Sequence, residues 1–195
     1  MSSRLKIAIS GKSGCGNSSV SRLVAKRLGL RLINYTFRTM AQERGISFAD
    51  FSMLAERDTS YDLFLDKKQI EMASEGDCVL GSRLAIWLLK DANLRVYLTA
   101  SIRIRAERIG RREGKSVDQA LAETVDRDRR DRERYLKLYG IDNNEYAFAD
   151  LVIDTEQSDE YAVADRVIVG LQAKQEREVA AFEPPLSENP VERSE

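Results

Sequence analysis

The sequence predicts a three-layer α/β fold in which helices cover both faces of a five-stranded parallel sheet. Five short apolar runs have the length of strands, and they occupy residues 5–10, 30–34, 77–81, 94–99 and 150–155. Helical patterns separate these runs, and strands that are apolar on both faces are typical of a parallel sheet buried between helices. Glycines follow the helical stretches where a left-handed terminal residue is favoured, at Gly29, Gly45, Gly76, Gly114 and Gly140.

The starts of several helices are marked by residue pairs with the spacing of a capping box or a close relative of it. These pairs are Ser47 with Asp50, Thr59 with Asp62, and Ser116 with Gln119. The longest predicted helix runs from about Ser116 to Tyr139, and its centre, "DRDRRDRER" at 126–134, is charged at every position. That segment must face solvent or a charged ligand.

The composition indicates one ordinary globular domain. Of the 195 residues 43% are hydrophobic and 32% charged, and no apolar run approaches the roughly 20 residues of a membrane span. The N-terminal apolar stretch is too short for a signal peptide, so we expect a cytoplasmic protein without membrane association, and we expect a monomer. Cys15 and Cys78 match no metal or redox spacing and are expected to be reduced thiols.

The charge balance argues against further classes of function. The chain has no histidine, which disfavours zinc hydrolase and Ser-His chemistry, and its net charge of −1 disfavours a general nucleic-acid binder. From about residue 175 the sequence loses periodicity and gathers Glu, Pro and Ser. We therefore expect a single domain over 1–175 and a disordered tail over 176–195.

A glycine-rich stretch, "GKSGCGNSS" at 11–19, directly follows the first predicted strand. Gly11, Gly14 and Gly16 would let the backbone curl into a nest of N–H donors, and the next helix would point its positive end at an anion. This is the order of a phosphate-binding P-loop, in which Ser18 would hold Mg²⁺ through its hydroxyl. The alternative is an ordinary strand-to-helix turn, but such a turn does not require three glycines and a serine pair between the strand and the helix.

Asn17 stands where the P-loop motif has a lysine. A neutral amide cannot supply the positive charge that the lysine places on the phosphates, so another cation has to do so. Lys12 could fold back over the phosphates, or it could be a solvent-exposed lysine on the loop tip, which is the commoner fate of that residue. Arginines further along the chain are the stronger candidates.

The arginines that could contact phosphate fall in three groups. The first two are Arg38 and Arg83, which follow the second and third predicted strands, at the edge where open α/β sheets bind ligands. Arg83 adjoins an apolar run, where its charge needs an anion that could be either a substrate or an internal carboxylate. The third group comprises Arg103, Arg105, Arg108, Arg111, Arg112, Arg127, Arg129, Arg130, Arg132 and Arg134.

These groups together predict phosphoryl transfer. Arginine suits bidentate contact with phosphate, and the reaction needs charge neutralisation and alignment more than a strong base. For the run at 126–134 the alternative interpretation is a solvated helix laced with ion pairs.

The sequence resembles the cytidylate kinases, most closely the short archaeal-type branch of the nucleoside monophosphate kinases. The resemblance covers about residues 5–170. Besides the glycine loop, it rests on "FRTMAQERGISFADFSMLAERDTSYDLFLDKKQIEMASEG", "VLGSRLAIWLLK", "RAERIGRREGKSVDQALAETVDRDRRDRERYLKLYGID" and "ADLVIDT". It implies a P-loop kinase fold with an acceptor-binding helical insert over about 36–76 and a helical lid over about 108–134.

The resemblance also implies a role for each matching residue. The phosphates of ATP, with Mg²⁺ on Ser18, would be bound by Gly11, Lys12, Ser13, Gly14, Cys15, Gly16, Asn17, Ser18 and Ser19. The acceptor, CMP or dCMP, would be held by Arg38, Asp66, Arg83, Arg127, Asp131 and Arg134. The catalytic cations would be Arg83 and the lid arginines Arg108, Arg111 and Arg112, with Lys12 as a candidate to replace the missing lysine.

Two departures from the family pattern bear on efficiency and acceptor specificity. Asn17 goes a step beyond the threonine that archaeal-type members often carry there, and "GSR" at 81–83 lacks the acidic residue of the more usual "EGR" or "DGR". The rival hypotheses are a P-loop kinase of another small acceptor, such as shikimate or a coenzyme precursor, and a non-catalytic nucleotide-binding regulator. Binding of RNA through the arginine run is a weaker one.

Overall fold

A computed structural model describes residues 4–182 of the chain. Its strands are β1 (Lys6–Gly11), β2 (Arg31–Ile33), β3 (Cys78–Gly81), β4 (Leu94–Thr99) and β5 (Leu151–Asp154). Its helices are α1 (Asn17–Leu28), α2 (Phe37–Glu43), α3 (Phe48–Arg57), α4 (Ser60–Ser74), α5 (Ala85–Leu88), α6 (Ile102–Glu113), α7 (Val117–Tyr139) and α8 (Glu160–Phe182). Each strand coincides with one of the predicted apolar runs to within about one residue at either end.

The sheet has the strand order β2-β3-β1-β4-β5, and every neighbouring pair is parallel. The predicted five-stranded parallel sheet is thus confirmed. The central strand β1 has β3 on one side and β4 on the other, so the connections leave it in opposite directions and a crevice opens beyond its carboxyl end. The glycine-rich loop begins at that end.

Two hydrophobic clusters cover the two faces of the sheet. On one face Ile7 of β1 packs in a cluster with α1 and α8, to which Val24 belongs. On the other face Ala8 shares a cluster with Trp87 of α5 and Tyr135 of α7. Successive residues of a strand point to opposite faces, so neighbours on β1 supply both layers. The three-layer architecture is confirmed.

Two smaller clusters lie away from the sheet. Helices α2, α3 and α4 share a core that includes the buried Phe51, and α6 packs on α7 through Ile109 and Ala120. The first group falls within 36–76 and the second overlaps 108–134. These are the segments for which the resemblance implies an insert and a lid, and those roles stay predictions.

The ends of α4 differ from the predictions. Gly76 does not take a left-handed conformation, because α4 closes at Glu75 in the right-handed one. Thr59 is the N-cap residue, but within the described residues its side chain makes no capping bond. The carboxylate of Asp58 instead accepts a hydrogen bond from the backbone N–H of Ser60, at 2.9 Å.

Two predicted helix starts are confirmed, whereas the prediction for the C-terminal segment is wrong in part. Ser47 and Ser116 cap α3 and α7 as predicted, each accepting from the backbone N–H three residues on. The disordered tail expected from residue 176 is wrong for 176–182, because α8 continues to Phe182 through good helix formers such as Ala and Glu. The remainder of that predicted tail, 183–195, lies outside the described residues. Between residues 4 and 182 no helix is long and apolar enough to cross a membrane.

Candidate active site

An open cleft of about 1390 Å³ lies at the carboxyl edge of the sheet. The glycine loop, the start of α2, one face of α4, the end of β3, and parts of α6 and α7 line it. The predicted site residues on its wall are Gly11, Lys12, Ser13, Gly14, Cys15, Gly16, Asn17, Ser18, Ser19, Arg38, Asp66, Arg83, Arg108, Arg111, Arg112, Arg127 and Arg134. Asp131 is not among the described residues that line the cleft.

Gly14 and Gly16 give the loop its curl. Their φ angles are 89° and 90°, in the left-handed region that favours glycine. Gly16 immediately precedes α1, so the positive end of that helix faces the cleft. A Cβ atom on Gly14 would meet the Cβ of Arg105 at 2.8 Å, which means that α6 packs directly on the loop. The loop has the geometry of an anion-binding nest.

Cys15 lies beneath the loop with 2% of its surface exposed. Burial raises the pKa of its thiol to about 11, so the thiol stays protonated near neutral pH and is a poor nucleophile. Its backbone carbonyl accepts a hydrogen bond from the hydroxyl of Thr155, at 3.2 Å. Both Cys15 and Cys78 are free, as predicted.

Two arginines of α6 hold the glycine loop in place. Arg105, 4% exposed, donates to the carbonyl oxygen of Ser13 at 3.2 Å. Arg108 donates to the carbonyl oxygen of Gly14 at 3.2 Å, and to the hydroxyl and carbonyl oxygens of Thr155 at 2.9 and 2.6 Å. Arg108 thus contacts the loop and Thr155 and also lines the cleft, and its role as a cation directed at the transferring group stays a prediction.

The other two predicted lid arginines are placed differently from Arg108. Arg111 and Arg112 lie at the end of α6, on the cleft wall, and both are exposed. Arg112 pairs with its neighbour Glu113 at 2.8 Å. Their guanidinium groups are thus close to solvent and accessible to an anion in the cleft.

Asp128 of α7 forms ion pairs with two cations beside the glycine loop. Its carboxylate accepts from Arg105 at 3.1 and 2.6 Å and lies 3.7 Å from the ammonium of Lys12. Lys12 is therefore half-buried and paired, which differs from the exposed lysine that general frequencies favour. Sequence reasoning did not single out Asp128, since it is one of four acidic residues in the charged run 126–134.

The two departures from the family pattern lie next to each other. A Cβ atom on Gly81 would come to 3.9 Å from the amide oxygen of Asn17 and to 2.5 Å from the hydroxyl oxygen of Ser21. An acidic side chain at position 81 therefore has no room beside Ser21, and a lysine at position 17 would meet no carboxylate from residue 81. The acidic residue expected at position 81 and the lysine expected at position 17 are thus both absent from one place in the structure.

Arg83 joins the loop to α7 in the middle of the cleft. Its guanidinium donates to the carboxylate of Asp131 at 2.6 Å and to the hydroxyl of Ser13 at 3.1 Å. Burial alone would lower the pKa of Arg83, but Asp131 holds that pKa above its ordinary value. Arg83 thus has an internal carboxylate partner and also lines the cleft, so both interpretations of its charge apply.

Asp131 and Arg134 extend this chain of ion pairs to α4. The second oxygen of Asp131 accepts from Arg134 at 2.9 Å, and the Nε of Arg134 lies 3.4 Å from Asp62. Asp131 is 8% exposed and faces these two arginines. Asp131 thus pairs with both arginines, and the contact with the acceptor expected of it stays a prediction.

Three further residues that are predicted to hold the acceptor, Arg38, Arg127 and Asp66, also line the cleft. Arg38 lies over the ring of Phe48, 4.6 Å from its centroid, and Arg127 lines the cleft from α7. Asp66 accepts a hydrogen bond from the hydroxyl of Tyr139 at 2.6 Å. Burial raises the pKa of Asp66 to about 6, although the bond from Tyr139 acts in the opposite direction.

Comparison with solved structures defines the class of this fold. Shikimate kinase from Acinetobacter baumannii superposes with a TM-score of 0.62 at 18% identity, covering 88% of this chain and 95% of that one. That likeness, together with the parallel sheet and the glycine loop at the end of β1, defines a P-loop kinase fold.

Sequence comparison identifies the family. The model of the cytidylate kinase-like family matches residues 6–157. "Cytidylate kinase 2" of Borrelia garinii subsp. bavariensis is 47% identical over 154 residues, covering 77% of this chain and 86% of that protein. "Cytidylate kinase" of Pyrococcus horikoshii is 42% identical over 156 residues, covering 79% and 81%. The chain belongs to the cytidylate kinase-like family.

Proposed function

We propose that this protein transfers the γ-phosphoryl group of ATP to CMP, and also to dCMP, giving ADP and the cytidine diphosphate. The supporting observation is the position of Arg83, which contacts Ser13 of the glycine loop on one side and Asp131 of α7 on the other. A cation held there lies between a phosphate cradle and the acceptor side of the cleft. Membership in the cytidylate kinase-like family supports the choice of acceptor.

Different groups of the protein would bind the donor and the acceptor at the two ends of the cleft. The nest formed around Gly14 and Gly16, with the positive end of α1, would bind the donor phosphates. Arg38, Arg83 and Arg134 would hold the acceptor phosphate, so that one of its oxygens attacks the γ-phosphorus in line with the departing ADP oxygen. Charge neutralisation and alignment carry this reaction, so the absence of histidine from the sequence is no obstacle.

The residues fit a magnesium ion. Ser18 is exposed in the first turn of α1 and lines the cleft. Magnesium in such sites takes one or two protein oxygens and completes its shell with phosphate and water. When bound there, the ion neutralises charge on the transferring phosphates.

The exposed arginines of α6 would act after both nucleotides are bound. Arg111 and Arg112 would approach the transferring group as the C-terminal end of α6 and the start of α7 close over the cleft. Closure would also exclude water and so limit hydrolysis of ATP. We further propose that the protein works as a cytoplasmic monomer in pyrimidine nucleotide metabolism, with nucleotides as its partners.

An assay of acceptor-dependent ADP formation tests the proposal. Purified protein with ATP and Mg²⁺ is incubated with CMP, dCMP, UMP, AMP, shikimate or no acceptor. We expect ADP formation to accelerate with CMP and dCMP. Acceleration by shikimate alone would indicate another kinase, and ATP binding in calorimetry with no acceleration by any acceptor would indicate a nucleotide-binding regulator.

A further inference from the structure

One face of α4 presents three polar side chains to the cleft. Asp62, Asp66 and Gln69 follow one another at intervals of four and three residues, which places them on the same side of a helix. All three line the cleft. The contacts of Asp66 are accounted for by Tyr139, and those of the other two are incomplete.

Asp62 and Gln69 each hold an oxygen atom that lacks a donor. Asp62 is 4% and Gln69 is 3% exposed. Across residues 4–182 no hydrogen-bond partner approaches Oδ2 of Asp62 or Oε1 of Gln69. Buried acceptor oxygens are nearly always satisfied in folded proteins, so two of them on the cleft-lining face of one helix indicate donors that a ligand brings.

The orientation of both groups is set by contacts with the rest of the protein. The Nε2 of Gln69 donates to the carbonyl oxygen of Tyr35 at 2.7 Å, which requires the amide nitrogen at that position and leaves Oε1 as the free end. The other oxygen of Asp62 lies 3.4 Å from the Nε of Arg134. The free acceptors are therefore held in place before any ligand binds.

The surroundings suit a flat ring attached to a phosphate. Tyr35, Phe37, Phe48 and Leu65 line the same side of the cleft and offer surfaces against which an aromatic ring can pack. Arg134 connects Asp62 to the cation group around Arg83 that would hold the acceptor phosphate. A nucleotide with its phosphate on those arginines would extend its base toward α4.

We infer that Asp62 and Gln69 read the acceptor base by accepting hydrogen bonds from an exocyclic amino group. The inference rests on the proposed function and names what selects the base. Cytosine carries an amino group on that edge, whereas uracil carries a carbonyl oxygen at the same position. Uracil would place that oxygen against two acceptor oxygens and leave all three without a donor, so CMP is favoured over UMP.

The exchange Asp62→Asn tests this inference. Asparagine keeps the size and replaces an acceptor oxygen by a donor. We expect the ratio of kcat/KM for CMP to kcat/KM for UMP to fall about 10- to 100-fold, the range for a hydrogen bond to a charged group. Any disturbance of Arg134 affects the phosphate site that both substrates share, so it cancels in the ratio.

A second variant and a control complete the experiment. Gln69→Met removes the second acceptor at similar size and should lower the same ratio. Asp58→Asn changes a carboxylate at the exposed start of α4, near Ser60, and should leave the ratio unchanged. Calorimetric affinities for CMP and UMP, measured on the same proteins, give a readout that does not depend on turnover.

The outcomes separate this inference from the proposed function. A wild-type protein that uses or binds UMP as well as CMP overturns the inference. Equal losses for both nucleotides in Asp62→Asn and Gln69→Met, with an unchanged ratio, also overturn it by assigning both residues a structural role. Absence of ADP formation with every acceptor contradicts the proposed function instead, and the calorimetric ratio then still decides the role of Asp62.

Discussion

The two ends of the cleft differ in how completely the protein satisfies its own polar groups. At the donor end the carbonyl oxygens of Ser13 and Gly14 accept from Arg105 and Arg108, and Asp128 neutralises Arg105. At the acceptor end α4 holds buried oxygens that have no donor among residues 4–182. The donor end is thus held by internal contacts, although the Nε of Arg105 has no partner among residues 4–182, whereas on α4 a buried carboxylate oxygen and a buried amide oxygen lack a donor.

This difference indicates where binding energy is used. A loop fixed by α6 can receive phosphates of any nucleoside triphosphate with little rearrangement, which favours affinity without selectivity. Buried acceptors without partners stabilise only a ligand that carries matching donors, and they penalise one that does not. Selectivity should therefore reside on the α4 side.

The largest effect is expected where the two ends meet. Arg83→Ala removes the cation that contacts both the loop and α7, and kcat/KM for CMP should fall about a thousandfold, as for loss of a preorganised charge stabiliser. Steady-state kinetics with CMP measures this. Lys12→Ala, which removes one partly screened ion pair, should cost no more than about tenfold. Comparable losses would instead assign Lys12 the task of the missing lysine.

A matched control for Arg83→Ala is available on α6. Arg103 is exposed and pairs with Glu107 one turn away, at 3.3 Å. Arg103→Ala should leave kcat/KM unchanged, since the guanidinium does not line the cleft within the described residues. A loss as large as that of Arg83→Ala would mean that overall charge, and not position, governs the rate.

The next largest effect is expected at the contact between the loop and α6. Gly14→Ala puts a Cβ at 2.8 Å from backbone and side-chain atoms of Arg105, on a residue whose φ is 89°. Strain and overpacking together should lower the free energy of unfolding by about 3 kcal/mol and weaken ATP binding. Gly29 has a φ of 65°, and a Cβ added there meets no atom within 4 Å. Gly29→Ala should cost only about 1–2 kcal/mol.

Urea unfolding and ATP calorimetry of both glycine variants measure the difference. Equal loss of stability in Gly14→Ala and Gly29→Ala would contradict the direct packing of α6 on the loop. Unchanged ATP affinity in Gly14→Ala would contradict its role in the phosphate cradle.

The smallest effect concerns Asp66 and depends on pH. Burial raises its pKa from 3.8 to about 6, so this carboxyl binds more protons in the folded than in the unfolded state. Its contribution to the free energy of unfolding is therefore full below pH 4, falls as the pH rises from 4 to 6, and stays reduced above. Asp66→Asn removes this titration and should stabilise the ligand-free protein at pH 7 by about 1–3 kcal/mol relative to wild type.

The comparison of urea midpoints at pH 4 and pH 7 checks the sign. The gain in Asp66→Asn should be confined to the higher pH. Asp126→Asn is the control with the opposite sign, because the hydrogen bond from Arg129 lowers the pKa of Asp126 and its replacement should bring no gain at pH 7. A gain for Asp66→Asn that is equal at both pH values would contradict the shifted pKa.

The fold and the donor end could be predicted because their signals are local. Apolar runs such as "LKIAIS" mark strands through their own residues, and Gly14 and Gly16 mark the loop through a short motif. The wrong assignments at Gly76 and Thr59 come from local signals that a neighbour overrides, since Glu75 closes α4 and the carboxylate of Asp58 accepts from the first backbone N–H of the helix.

The acceptor end could be predicted only in part because its contacts join distant segments. The bond of Gln69 to the carbonyl of Tyr35 and the bond of Tyr139 to Asp66 leave no pattern in the sequence. Asp62 could be interpreted from spacing as a helix-capping residue, whereas the packing of α4 places it in the cleft. The position of Arg83 in the cleft was predicted because it follows a strand, and open parallel sheets bind ligands at the carboxyl ends of their strands.

Binding of a bisubstrate analogue is the most direct test of a single cleft with distinct donor and acceptor ends. The analogue joins adenosine and cytidine through a polyphosphate chain, and calorimetry compares it with ATP. If both ends are occupied at once, its affinity should exceed that of ATP by at least about 100-fold. An analogue that binds no more tightly than ATP would show that the cytidine end finds no site, and would contradict the division of the cleft.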